Sequence, residues 1–228
     1  MNNLDTLIEN GLVVTENEIG QLNIGIKDGK IAYLGDENLS AELKINASDL
    51  IVLPGGIDPH VHVDQPSGDD VIMADNFQTA TKSAAAGGNT TILPFAMQIK
   101  GQSLRKCVED YHKKAQGNMY IDTSFHLIIS DPTPQVLGQE LPALSKDGYT
   151  SFKVFMTYDD LVLNDKELIE VFDVAKKLKT LVMVHAEGYD SIKYLSDKFE
   201  KEGKTAPYYH APTRPQIVER EATHRAIS

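Results

Sequence analysis

The sequence predicts an α/β fold: a partial TIM-like (β/α) barrel of about five strand–helix units, preceded by a small all-β unit of the sandwich type. Residues 1–53 alternate apolar and polar side chains with the two-residue period of strands. Residues 54–228 alternate short apolar runs with helix-periodic segments, which is typical of a parallel sheet covered by helices. This second part is shorter than the ~250 residues of a complete (β/α)8 barrel. The predicted division is therefore 1–53 and 54–228.

The N-terminal unit is predicted from three alternating segments. Residues 7–14 indicate a strand, a turn and a second strand. Apolar residues then alternate on both sides of Asp28-Gly29, which is a strong hairpin signal. Residues 43–47 keep the same period. Because so few residues cannot form a large core of their own, we expect this unit to pack against another part of the protein.

The second part is predicted from apolar strands that alternate with helical segments. Strands are predicted at 51–62 (including a C-terminal loop), 90–95, 123–129, 152–156 and 181–185. Helices are predicted at 75–86, 102–115, within 134–145, and at 165–178, 189–201 and 216–227. Asp75, with Gln78 three residues on, is the predicted N-cap of the first helix, and Gly87-Gly88 is its stop signal. An open doubly wound sheet is the alternative, but Pro54-Gly55-Gly56 does not match its glycine-rich phosphate turn.

Composition excludes several classes of partner. The 228 residues include 41% hydrophobic and 24% charged residues, as in ordinary globular proteins. The formal charge of −11 argues against a nucleic acid or an anionic membrane, because both require a basic surface. Cys107 is the single cysteine, which excludes an intrachain disulfide and favours a reducing compartment. With no membrane-length apolar run and no signal-peptide pattern, a cytoplasmic enzyme is predicted.

Ionisable residues interrupt three of the predicted strand ends, where the chemistry of such folds is found. His60 and His62 close the first strand, and they share one face because side chains alternate along a strand. Lys153 stands inside the otherwise apolar fourth strand, and His185 ends the fifth. Each residue alone also fits an ordinary role: an incidental histidine pair, a solvent-facing or ion-paired lysine, or a hydrogen-bonded core histidine. Their coincidence at the ends of strands one, four and five favours a shared site.

The buried lysine points to metal chemistry. Burial lowers the pKa of a lysine and favours the free amine, which reacts with carbon dioxide to give a carbamate. A carbamate on Lys153 can bridge two divalent cations ~3.5–4 Å apart. The sequence thus predicts a two-metal centre that uses His60, His62, N6-carboxylated Lys153 and His185. Neutral imidazoles with oxygen donors suit zinc, although manganese, cobalt or nickel could also fit.

These motifs resemble the amidohydrolase superfamily, in the cyclic-amidase branch of dihydropyrimidinases and hydantoinases. The resemblance is carried by Leu-Pro-Gly-Gly-Ile-Asp-Pro-His-Val-His (53–62), Ala-Ala-Ala-Gly-Gly-Asn-Thr-Thr (84–91), Ser-Phe-Lys-Val-Phe-Met-Thr-Tyr (151–158), Val-His-Ala-Glu (184–187) and the stretch 210–227. It extends over essentially the whole chain. The first motif also fits allantoinases and dihydroorotases, whereas residues 151–158 favour the dihydropyrimidinase–hydantoinase branch.

The resemblance implies a role for each site residue. His60 and His62 would bind the more buried metal ion, His185 the more exposed one, and carboxylated Lys153 would bridge them. Tyr158 would hydrogen-bond the substrate carbonyl and stabilise the developing oxyanion. The implied reaction is hydrolysis of a C–N bond in a cyclic ureide or imide, such as dihydrouracil or a 5-substituted hydantoin, to an N-carbamoyl amino acid.

The family pattern also requires a later histidine and a later aspartate, and the sequence ends at Ser228 before either. We therefore expect an N-terminal portion of the enzyme that is inactive alone, with a homotetramer implied for the complete protein. His112, His126, His210 and His224 lack motif support as substitutes. The alternatives are an allantoinase- or dihydroorotase-type amidohydrolase, and an inactive fragment or scaffold.

Overall fold

The computed structural model describes residues 4–68 and 71–228. The chain forms two compact units, and the division falls between Gly56 and Ile57, three residues beyond the predicted boundary. In the described part of the chain, no helix is both long and apolar enough to cross a bilayer.

The first unit is a five-stranded mixed sheet. Its strands are β1 (Leu4–Val14), β2 (Ile19–Lys27), β3 (Lys30–Gly35), β4 (Ala41–Asn46) and β5 (Ile51–Val52). The central strand β1 runs antiparallel to β2 and parallel to both β4 and β5. The all-β character is confirmed, and the described strands of this unit form one sheet.

The predicted hairpin connects β2 and β3. Ile26 lies opposite Ile31, and Lys27 lies opposite Lys30. Asp28 and Gly29 both have positive φ, at 50° and 71°. A two-residue turn with both central residues in this region matches the right-handed twist of the strands, which explains the Asp-Gly preference.

The turn predicted within residues 7–14 is wrong, because β1 runs through it as one strand. Asn10 (φ 67°) forms a bulge there, and the pairing with β2 shifts between Ile8 and Gly11. The Asn10 side-chain nitrogen donates to Asn46 Oδ1 at 3.0 Å, which holds the bulge against β4. The Asn-Gly pair thus supplies a left-handed residue within a strand rather than a chain reversal.

The second unit contains a sheet whose strands follow the chain order. Its strands are β6 (Gly56–Val61), β7 (Asn89–Met97), β8 (Asp122–Thr123), β9 (His126–Ile128), β10 (Ser151–Phe155) and β11 (Leu181–His185). The main path is β6-β7-β9-β10-β11, and the neighbours from β7 to β11 are parallel. A doubly wound sheet reverses its strand order at a switch point, so that alternative is wrong for the described strands.

Helices connect these strands. They are α1 (Phe77–Ala86), α2 (Leu104–Ala115), a π-helical turn (Val136–Glu140) continuing into α3 (Leu141–Lys146), α4 (Asp165–Leu178), α5 (Tyr189–Lys201), a 3-10 turn (Pro207–His210) and α6 (Gln216–Ile227). The cap predicted for α1 is displaced by one residue. Asn76, not Asp75, accepts the backbone N–H of Thr79 at 3.0 Å, and the Thr79 hydroxyl oxygen accepts the N–H of Asn76.

The sheet of the second unit has two different faces. Alternate residues such as Leu127, Phe152 and Val154 enter the main core with apolar residues of α1, α2 and α4. The intervening residues form a smaller cluster of Phe95, Ile128 and Phe155. We call the face that carries this smaller cluster the inner face. Because the period is two, Lys153 projects from the inner face together with Phe155.

Candidate metal centre

The two histidines at the end of β6 lie side by side on the inner face. The centroids of the His60 and His62 rings are 5.7 Å apart. Both rings contact Phe95, at centroid distances of 4.7 Å and 4.9 Å. Val61, between them, packs against the helix-covered core. Strand alternation therefore directs both imidazoles to one side, as the His-x-His spacing predicts.

A glutamine fixes the tautomer of His62. His62 Nδ1 lies 2.7 Å from Gln65 Oε1, and Gln65 Nε2 donates to the Phe95 carbonyl at 3.1 Å. Because an amide oxygen only accepts, Nδ1 carries the proton and Nε2 carries the lone pair. Metal-binding histidines are commonly oriented in this way by a hydrogen bond to the other ring nitrogen. Gln65 belongs to none of the motifs that predict the site, so the sequence gives no signal for it.

Lys153 is buried on the inner face, with 7% of the residue exposed. Its Nζ lies 5.9 Å from the Phe95 ring centroid and 5.3 Å from that of Phe155. The Nζ forms no hydrogen bond or ion pair with the residues that the structure describes. Burial lowers the pKa of the Lys153 amine, because desolvation disfavours its charged form. The neutral amine is the form that can react with carbon dioxide.

His185 lies on the other side of Lys153. It pairs with Phe155 in the sheet register, and the two rings stack at 5.6 Å. His185 Nε2 lies 2.7 Å from Glu187 Oε2 and 3.4 Å from the Tyr158 hydroxyl. Because a carboxylate only accepts, Nε2 carries a proton here, and in the neutral ring Nδ1 carries the lone pair. A cation on Nε2 therefore requires Glu187 to leave this nitrogen.

The four predicted ligands thus border a common region of the inner face. Phe95 contacts the histidine pair, Phe155 contacts His185, and the Lys153 amine lies near both phenylalanine rings. Across residues 4–68 and 71–228, no three His, Cys, Asp or Glu side chains converge closely enough to hold one ion. Lysine is outside that set of side chains, so a site here depends on the modified Lys153.

Tyr158 has a backbone conformation that is unusual for a side-chain-bearing residue. It follows β10 with a φ of 73°, and its carbonyl accepts the N–H groups of Leu161 (3.0 Å) and Val162 (2.8 Å). Such strain is found at functional sites, where the surrounding structure maintains it. Burial and the nearby Glu187 carboxylate raise the pKa of the phenol. Tyr158 therefore stays protonated at neutral pH and can donate a hydrogen bond.

His126 is a buried residue of the inner face to which the sequence analysis gave no role. It is 5% exposed, and its ring lies 4.9 Å from that of Phe95. Its Nε2 lies 2.7 Å from the Pro59 carbonyl, and its Nδ1 hydrogen-bonds the Ser151 hydroxyl. The available sequence signal was a histidine inside an apolar strand.

The other histidines have separate environments. His112 bonds the Tyr149 hydroxyl, and its ring contacts Phe125 of the helix-covered core. His210 lies 3.2 Å from an Arg214 guanidinium nitrogen. His224 is exposed on α6.

The chemistry of these donors fits a divalent cation. Burial lowers the pKa of His60, because desolvation disfavours the imidazolium, so the neutral imidazole predominates. Neutral imidazole is the form that binds metals. His62 presents Nε2, and the Lys153 amine has no acceptor among the described residues. Two imidazoles and an amine that could be carboxylated therefore occur together.

Comparison with known proteins identifies the family. A sequence model of the amidohydrolase family matches residues 51–214. The chain belongs to the amidohydrolase family. The resemblance drawn from the motifs is therefore confirmed at this level.

Individual relatives of this amidohydrolase chain match nearly its whole length. D-hydantoinase from Rhizobium radiobacter is 47% identical over 226 residues, which cover 99% of this chain and 49% of that protein. A solved D-hydantoinase structure gives a TM-score of 0.94 at 47% identity, covering 98% and 49% of the two chains. Dihydropyrimidinase from Brevibacillus agri NCHU1002 gives 0.92 at 42% identity, covering 97% and 48%. The chain spans about half the length of the relatives it matches.

Proposed function

We propose that this chain forms part of a metal-dependent hydrolase that opens a C–N bond of a cyclic amide. The substrate would be a dihydropyrimidine or a hydantoin, and the product an N-carbamoyl amino acid. One observation carries the proposal: the buried Lys153 side chain has its amine near the rings of Phe95 and Phe155, which contact the histidine pair and His185. The similarity to proteins named D-hydantoinase and dihydropyrimidinase supports it.

The proposed centre contains two divalent metal ions, and zinc is the proposed metal. His60 and His62 would hold one ion, His185 the other, and N6-carboxylated Lys153 both. Such ions would lower the pKa of a water molecule and polarise the substrate carbonyl. Burial of Lys153 supports this assignment, because a carbamate neutralised by cations removes the cost of an unpaired amine in an apolar environment.

The residues of this chain would bind and orient the reacting groups. Tyr158 would donate its phenolic proton to the oxygen of the attacked carbonyl, where negative charge develops. Gln65 would keep the His62 Nε2 lone pair directed to the metal. Phe95 and Phe155 would exclude water from the Lys153 side chain, which preserves the neutral amine for carboxylation.

The fold supports the same proposal. We propose that the strands β6, β7, β9, β10 and β11 form the first part of a (β/α)8 barrel, because they adjoin one another in chain order. The first unit would be part of a β-sandwich. The histidine and aspartate ligands implied by the family resemblance would then lie outside these 228 residues. The tetramer and the cytoplasmic location stay predictions.

The test uses the full-length gene product, reconstituted with zinc. We expect hydrolysis of dihydrouracil or a 5-substituted hydantoin, loss of activity after chelation, and its return with zinc. Turnover of allantoin or dihydroorotate instead would assign the alternative amidohydrolase reactions. No turnover of the four compounds by the metal-loaded full-length protein would support a scaffold role. The 228-residue chain alone should show negligible turnover.

A further inference from the structure

We propose that His126 is a positioning residue, which holds the strands that carry His60 and Lys153 in the arrangement the metal centre requires. This role rests on the proposed function, since it concerns the same centre. His126 itself binds neither metal nor substrate in this assignment.

The hydrogen bonds of His126 define the tautomer of its neutral ring. The Pro59 carbonyl can only accept, so the Nε2–H of His126 donates to it at 2.7 Å. In the neutral ring Nδ1 carries the lone pair and accepts the proton of the Ser151 hydroxyl. Both ring nitrogens are therefore used, which leaves no lone pair for a metal ion. A neutral imidazole with a fixed tautomer is suited to a structural link between two strands.

The two partners of His126 lie next to proposed ligands. Pro59 directly precedes His60 in β6. Ser151 is two residues before Lys153 in β10, so both side chains project from the same face of the strand. A displacement of Pro59 would therefore also move His60, and a displacement of Ser151 would also move Lys153.

The backbone hydrogen bonds of the sheet do not join β6 and β10 directly. His126 belongs to β9, and β7 lies between β9 and β6. Pro59 lacks an N–H group, so its carbonyl is the one backbone hydrogen-bonding group at this position. The His126 side chain spans β7 and binds that carbonyl. It thus connects β6 to β10.

Packing makes this link rigid. His126 is 5% exposed, and its ring lies 4.9 Å from Phe95. Phe95 in turn contacts the rings of His60 and His62. A change at His126 can therefore reach the histidine pair by two routes, through the Pro59 backbone and through the Phe95 ring.

The experiment compares variants of the full-length gene product. His126→Phe keeps an aromatic ring but loses both hydrogen bonds, whereas His126→Gln retains a donor and an acceptor. Ser151→Ala removes only the hydrogen bond to His126 Nδ1, and it replaces His126→Phe in the test if that variant is insoluble. His112→Phe is the matched control, because it removes a histidine–hydroxyl bond outside the inner face. The readouts are the zinc dissociation constant by chelator competition, the visible spectrum of the cobalt(II) form, and the urea midpoint of the metal-free protein.

We expect His126→Phe to raise the zinc dissociation constant about 10–100-fold and to alter the cobalt(II) spectrum. Ser151→Ala should show a smaller change in the same direction, His126→Gln should restore most of the affinity, and His112→Phe should match the wild type. A lower urea midpoint for His126→Phe or Ser151→Ala with unchanged zinc affinity and cobalt spectrum would overturn the positioning role alone. A wild-type protein that binds neither metal would overturn the proposed function, and the positioning role with it.

Discussion

Replacement of Lys153 by methionine should change stability and metal binding in opposite directions. Methionine keeps a long unbranched side chain between Phe95 and Phe155 but removes the amine. In the metal-free protein Lys153 as a residue is 7% exposed, and its amine has no acceptor among the described residues. Full burial of such a group without a hydrogen bond would cost about 1–3 kcal/mol. We therefore expect Lys153→Met to raise the free energy of unfolding of the metal-free protein by at most about that amount.

The same substitution should abolish the second metal site, because no carbamate can form. The assay combines urea denaturation of the chelator-treated protein with the zinc content of the reconstituted protein. Lys44→Met is the matched control, since Lys44 also lies in a strand but is exposed and pairs with Glu9 at 3.2 Å. Its loss should change stability by less than about 1 kcal/mol. A destabilised Lys153→Met protein that still binds two zinc ions would refute the reasoning.

Three further predictions concern single side chains. Tyr158→Phe should lower kcat/KM of the full-length enzyme about 10²–10³-fold through loss of a donor to the oxyanion, with unchanged zinc content. The Cys107 thiol, whose pKa burial raises to about 12, should resist thiol reagents at pH 8 until the protein unfolds. In the unfolded protein the thiol loses its proton at about pH 8.5. The buried, protonated thiol therefore contributes fully to the free energy of unfolding below about pH 8.5, and this contribution decreases as the pH rises toward 12. Asn164→Ala should destabilise the protein by about 1 kcal/mol in urea denaturation, because Asn164 Oδ1 accepts the Glu167 N–H at 3.0 Å.

Each of these outcomes can be contradicted separately. Wild-type kcat/KM in Tyr158→Phe would remove that residue from the reaction. Rapid labelling of Cys107 in the native protein would show that the thiol is accessible. An unchanged urea midpoint in Asn164→Ala would mean that the cap of α4 contributes nothing to global stability.

Local sequence signals were sufficient for several elements. The structure places α4 at 165–178, α5 at 189–201, α6 at 216–227 and β11 at 181–185, with the predicted bounds. The helix periodicity of α4 is reinforced by a capping box between residues near in sequence, Asn164 and Glu167. Such interactions join residues that are close together in the chain, so the sequence alone is sufficient to predict most of these bounds.

Other features depend on contacts between distant residues. The strand predicted at 123–129 is divided into β8 and β9, because Phe125 is buried beside Phe77 and Tyr111 of the helix-covered core. The positioning role proposed for His126 could not be predicted from the sequence, since its partner Pro59 is 67 residues away. The cap of α1 was misplaced because Asp75 and Asn76 are both good capping residues, and only the contacts of Thr79 distinguish them.

In the candidate site, too, some features follow from local sequence signals and others depend on contacts between distant residues. The His-x-His spacing was enough to predict that His60 and His62 share a face, because strand alternation alone determines it. That Lys153 is buried without a described acceptor depends in part on Phe95, which belongs to another strand, β7. The metal-ligand roles of these residues stay predictions until metal binding is measured.

The most direct test of the account is to detect a carbamate on Lys153. The full-length protein would be reconstituted with zinc in ¹³C-bicarbonate and examined by ¹³C NMR, alongside Lys153→Met. We expect one protein-bound carbamate resonance that requires metal and is absent from the variant. A zinc-loaded, active wild-type protein without that resonance, or a variant that retains it, would contradict the proposed lysine bridge.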